Sequence, residues 1–179
     1  MTLYAQWTEI TPDPDPTPTP TPDPEPSGPS TGDSTGWDDI LDELENTAKG
    51  DEITIDMGDE TKVPAEIFET LAGQDITLEI ALEGGVTWTV NGQDIPADAN
   101  LDDLDLGVNL DTHGIPVDVV NSITGERDTV QMTLAHDGAF GFTMTLTAPL
   151  GVENAGYWAN LYHYDEDAEQ LTFETAAEI

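Results

Sequence analysis

Between residues 37 and 175 the apolar positions keep a regular beat, and the beat changes period several times. In "GWDDILDELENTA", Trp37, Ile40, Leu41, Leu44 and Ala48 fall at i, i+3, i+4, i+7 and i+11, one face of a helix. Ser34 or Thr35 suits its N-cap, and Asp38, Asp39 and Asp42 suit the positive end of its dipole. "EITIDM" then alternates through Ile53, Ile55 and Met57, which predicts a strand. A second helix is predicted in "KVPAEIFETLAG", with Pro64 at its start, Gly73 just past its end, and Ile67, Phe68 and Leu71 on its apolar side.

The beat returns to two in "DITLEIAL", through Ile76, Leu78, Ile80 and Leu82, and in "VTWTV", through Val86, Trp88 and Val90. Glu83-Gly84-Gly85 reads as the turn between them, and Asn91-Gly92 as a hairpin turn leading into "QDI". "LDLGVNL" alternates through Leu104, Leu106, Val108 and Leu110. "GIPVDVVNSITGER" is bracketed by Pro116 and Gly125 like a short helix of one or two turns. Strands are predicted in "TVQMTLA" (Val130, Met132, Leu134), "FGFTMTLT" (Phe140, Phe142, Met144, Leu146), "GYWANLYHY" and "LTFET" (Leu171, Phe173). Most strands carry one apolar and one polar face, as antiparallel sheet solvated on one side requires. The predicted class is α+β: mainly antiparallel sheet of about eight strands with two or three short helices.

Residues 11–26 break the beat altogether. Thr, Asp and Glu alternate there with Pro, which fixes φ and removes donors, so the stretch is an extended spacer of roughly 50 Å at ~3.1 Å per residue. With the Ser/Gly-rich residues 27–36 it forms a linker over 11–36. Residues 1–10 stand apart as a short apolar strand, and residues 37–179 form the folded, acidic domain.

Charge narrows the partners. The 179 residues hold 38 acids against three bases (Lys49, Lys62, Arg127), a formal net charge of -35. Six acids and no base lie in residues 1–36, which leaves 32 acids against three bases in the folded part. Such a field repels nucleic acid and anionic lipid, so neither is an expected partner. No apolar run approaches the ~18 residues of a membrane span. A surface protein or a glycan is the expected partner, and a monomer the expected state. Cysteine is absent, which removes disulfides and thiol chemistry.

Candidate chemistry is sparse. The densest carboxylate cluster runs through Asp94, Asp98, Asn100, Asp102, Asp103 and Asp105, with Asp98, Asn100 and Asp102 as candidate calcium ligands. Counted from Asp98, Asp103 stands where an EF-hand loop needs Gly and Asn109 where it needs Glu, so the pattern fails at both places. Asp165, Glu166, Asp167 and Glu169 form a second cluster. His113, His136 and His163 lack zinc-site spacing. No cofactor is expected beyond calcium. No nucleophile–base signature occurs, so no catalytic residue is assigned. A hydrolase with a carboxylate pair would need a cleft that short loops do not build. In "YWANLYHY", Trp158, Tyr162 and Tyr164 share one parity and Tyr157, Leu161 and His163 the other. The first set, if exposed, could stack on sugar rings; either set could instead be core.

Two stretches carry a resemblance. "MTLYAQWT" (residues 1–8) resembles the last strand of the internalin-type B repeat, also called the Listeria–Bacteroides repeat. "GWDDILDEL", "VPAEIFETLAGQDITLEI", "VTWTVNGQDI", "LAHDGAFGFTMTL" and "NAGYWANLYHYD" together resemble an uncharacterised domain near the C-terminus of large secreted surface proteins of gut Gram-positive bacteria. The resemblance implies an extracellular, non-catalytic module of a repeat-containing surface protein, adhesive or spacing in role. It further implies a truncated repeat with its signal peptide upstream, and one more strand past residue 179. It supplies no ligand and no site residues.

Overall fold

A computed structural model describes residues 28–178 apart from Asp33, Asn100, Asp111, Glu126 and Asp128. The strand expected at residues 1–8 and the proline spacer as far as residue 27 lie outside the described residues. The elements run α1 (Trp37–Asn46), β1 (Glu52–Asp56), β2 (Lys62–Val63), α2 (Ala65–Leu71), β3 (Thr77–Leu82), β4 (Val86–Asn91), β5 (Leu104–Asp105), β6 (Val108–Leu110), α3 (Val117–Thr124), β7 (Met132–Leu134), β8 (Thr145–Thr147), β9 (Trp158–Asp165) and β10 (Gln170–Glu178). The class is α+β, with mostly antiparallel pairing.

The central sheet has the order β1-β3-β4-β8. Its register turns the alternation in the sequence into rows. Ile53, Leu78 and Val90 form one row across the inner face, and Ile55, Ile80, Trp88 and Leu146 the next. Thr54, Glu79, Thr89 and Thr145 form the row between them, on the opposite face. A slip of one residue in any pair would put Thr and Glu inside, so burial of one face fixes the register. Ile40 and Leu44 of α1 and Ile67, Phe68 and Leu71 of α2 join those rows in one core. Phe140, Phe142, Met144 and Leu146 pack against it from the segment before and within β8. Phe68 and Phe142 meet at 5.3 Å between ring centres, and Trp88 and Phe140 at 5.2 Å.

Some pairings depart from the sequence pattern, each for a local reason. β1 and β3 are parallel, because α2 lies between them and carries the chain back over the sheet. The "LDLGVNL" stretch is not one strand. β5 pairs with β2 and β6 with β7, and the chain breaks at Leu106 and Gly107. There the Leu106 carbonyl accepts the Trp88 indole N–H at 2.9 Å and the Asp105 carboxylate accepts the Gly107 N–H at 3.1 Å. Asn91-Gly92 does not make a hairpin. Gly92–Asp94 is a single 3-10 turn, its start held by the Asn91 side chain accepting the Gln93 N–H at 3.0 Å. Only Thr145–Thr147 of "FGFTMTLT" pairs as a strand, and Gly141 ahead of it takes φ +83. Val130, ahead of β7, and Leu134, within it, are exposed. Helix α1 stops before Ala48, which is exposed.

The N-cap of α1 is Gly36, neither Ser34 nor Thr35. Ser30 exchanges backbone hydrogen bonds of 2.8 and 2.7 Å with Asp56, and the Gly36 N–H reaches the Pro29 carbonyl at 2.8 Å. The chain ahead of α1 is thereby tied to the edge of β1.

Charge repulsion opposes this fold throughout. Among the described residues Lys49 pairs with Asp75 at 3.6 Å, an exposed contact of small value. Raising sodium chloride from 0.02 to 0.5 M should therefore stabilise the chain by about 1–2 kcal/mol, a rise in Tm of roughly 4 °C. Differential scanning calorimetry checks it, and an unchanged Tm would show that the carboxylates are spaced too widely to repel.

Candidate functional site

The aromatic strand and its partner form a hairpin outside the main core. β9 and β10 pair only with each other among the described strands, and α3 is the element that lies against them most closely. The sequence explains the hairpin locally. Asp165 starts the turn by accepting the Ala168 N–H on its carboxylate at 2.9 Å. Glu169 closes it with φ +51, a left-handed conformation that is uncommon for a residue other than Gly. The second carboxylate cluster is thus the tip of a hairpin. Its like charges spread into water.

Register decides which side chains meet. Tyr164 faces Leu171, Tyr162 faces Phe173 and Trp158 faces Glu178. The register shifts between Phe173 and Thr175, so Glu174 is the extra residue of a bulge. Tyr162 and Phe173 meet edge to face, 5.7 Å apart and inclined at 72°. Trp158 is 68% exposed and Phe173 54%, while Tyr162 and Tyr164 are half-buried. Tyr157 and Leu161, on the other parity, are exposed as well. Neither parity of β9 belongs to the main core. At the turn end, Leu171 and Gln170 line a shallow groove with Val119, Ser122 and Ile123 of α3. Trp158, at the end away from the turn, and Phe173, midway along the ladder, are not part of that groove and are exposed.

Carboxylates surround the hairpin. Between residues 152 and 178 stand Glu153, Asp165, Glu166, Asp167, Glu169, Glu174 and Glu178, with no Lys or Arg. Their field is felt at Tyr164. Partial burial, followed by the charges of Glu169, Glu166, Asp118 and Asp165, holds its hydroxyl above the ordinary tyrosine value. A raised pKa in the folded state favours the neutral phenol. The contribution is fully present below the unfolded value of 10.0 and is lost as pH rises through the folded value. In a spectrophotometric titration Tyr164→Phe should remove a step that lies above the ordinary tyrosine value. An unchanged curve in the variant would assign the step elsewhere.

The candidate calcium residues are Asp98, Asn100 and Asp102. Asn100 lies outside the described residues, and Asp98 and Asp102 are exposed. Asp103 has another task, since its carboxylate accepts the Ala65 N–H at 2.9 Å and so caps α2 from a distant loop. No group of three or more His, Asp or Glu among the described residues is placed to hold a metal ion. His136 stacks on Phe140 at 4.6 Å, far from any such role. A wide depression along α1, lined by Ser34, Asp39, Asp42, Glu43, Asn46 and Thr47, is open to solvent. Glu43 there accepts the Thr31 hydroxyl at 2.5 Å. No helix among the described residues is long and apolar enough to cross a membrane.

Sequence reasoning did not single out Phe173 as part of this face. It sits in an ordinary alternating strand, and only cross-strand pairing with Tyr162 places it beside the aromatic row. No protein-family model, curated protein or solved structure matches the chain.

Proposed function

We propose that this chain is a non-catalytic extracellular module of a bacterial cell-surface protein, an adhesive domain carried on a proline spacer. The observation that carries the adhesive part is the exposure of Trp158 and Phe173 on a hairpin outside the core. Large apolar side chains left in water together mark interaction surfaces. The extracellular setting rests on the resemblance of residues 1–8 and 37–179 to surface-protein segments. The proline-rich stretch suits a spacer that extends reach without chemistry of its own.

A second reading, a carbohydrate-binding face, is favoured by the exposure of Trp158. It would rest on that ring and not on all three candidates, since Tyr162 and Tyr164 are half-buried.

The test is retention of the whole chain on immobilised mucin, collagen, cell-wall glycan and a glycan array, with chromogenic glycosides and peptides assayed in parallel. Saturable retention, weakened by Trp158→Ala and without product release, is the expected result. Product release, or retention on no surface at all, would overturn the adhesive reading.

A further inference from the structure

We infer that the exposed aromatic face of the β9–β10 hairpin, from Phe173 midway along it to Trp158 at its end, receives a cationic polypeptide, one that presents Lys or Arg beside aromatic or aliphatic side chains. This rests on the adhesive reading and names the chemistry of the partner. The first observation is the shape of the apolar surface. Trp158 lies 68% exposed and Phe173 54%, on two long strands that pair only with each other among the described strands. Tyr162 and Phe173 stand edge to face and not side by side, so the rings form a stepped surface. A flat platform for a sugar ring built from these two rings would need them coplanar. A stepped surface suits side chains inserted from a polypeptide.

The second observation is charge. Glu178 faces Trp158 across the ladder, and Glu174 is pushed out of the ladder by the bulge next to Phe173. No cation of this segment neutralises them, because residues 152–178 contain no Lys or Arg. Aromatic faces themselves attract ammonium and guanidinium groups. Carboxylates around an indole and a phenyl ring therefore present one combined signal, apolar at the centre and negative at the rim. A second copy of this chain does not fit that signal. It would bring another net charge of -35 against the first.

The test uses the whole chain and three soluble polymers: a random Lys/Tyr copolymer, poly-lysine, and a random Glu/Tyr copolymer. At 0.15 M salt the Lys/Tyr copolymer should bind tightest, and hydrogen exchange should slow within residues 158–178 on binding. Trp158→Ala with Phe173→Ala should weaken that binding by at least about tenfold, as should Glu174→Gln with Glu178→Gln. Glu52→Gln with Glu79→Gln, on the central sheet, should leave it within twofold. These side chains are exposed or half-exposed, and a melt checks that each variant folds. If the aromatic pair fails to fold, the glutamine pair and the exchange footprint still decide.

Equal binding to poly-lysine, equal loss in the Glu52/Glu79 control, or protection outside the hairpin would overturn the inference in favour of the bulk field. Retention on a glycan surface without copolymer binding would overturn the inference and leave the adhesive reading standing. Retention on nothing would end both.

Discussion

Trp88→Ala should lower the free energy of unfolding by about 4 kcal/mol, enough to leave much of the chain unfolded at 37 °C if its stability is ordinary. The ring is 4% exposed and sits in the row Ile55–Ile80–Trp88–Leu146. It meets Phe140 edge to face and holds the Leu106 carbonyl through its indole N–H. Removing it opens a cavity at the middle of the core and releases the loop between β5 and β6 together. Trp88→Phe separates the two effects. Most of the volume remains while the buried carbonyl loses its donor, so a loss of about 1–2 kcal/mol is expected. Urea denaturation followed by circular dichroism measures both. A loss under 1 kcal/mol in the alanine variant would mean that the segment carrying Phe140 does not close over the core.

Gly92→Ala should cost about 3 kcal/mol or more. A Cβ at Gly92 would fall on the Leu71 carbonyl oxygen and 2.6 Å from that of Gln74, which is backbone and cannot swing aside. The φ of Gly92 lies outside the left-handed region, so the cost is one of space. Gly84→Ala makes the contrast. Gly84 has φ +77 with nothing within 4 Å, and its substitution should cost about 1 kcal/mol. The close approach at Gly92 docks the end of α2 onto the end of β4. The Gly73 N–H bonds to the Gly92 carbonyl at 2.7 Å, and the Gly92 N–H to the Ile76 carbonyl at 3.0 Å. Equal melting points for the two variants would refute the steric account.

These two positions show how far the sequence could be read. The alternation in 76–90 named the inner residues of β3 and β4 correctly, because a half-buried sheet enforces a period of two. The helix periods at 37–44 and 64–71 were legible for the same reason. Asn91-Gly92 misled because the same dipeptide serves two purposes: a hairpin needs the glycine's torsion, whereas here the neighbouring helix needs its missing side chain. The parallel pairing of β1 with β3 depends on where α2 packs, and no local pattern encodes that. The candidate face was only half legible. In β9 large residues occupy both parities, so periodicity could not say which side met the core. Neither does, since the hairpin finds its cover in α3 and in its own rings.

That separation has a kinetic side. The hairpin leans mainly on α3, while the rows of the central sheet lock together without it. A two-stranded ribbon alone is marginal in water, so residues 158–178 should open and reclose many times before the rest of the chain unfolds once. Native-state amide exchange should resolve two cooperative units, a fast one at the hairpin and a slow one at β1, β3 and β4. The part of the molecule offered to the outside would then be the part that can reshape itself, while the rest remains a rigid mount.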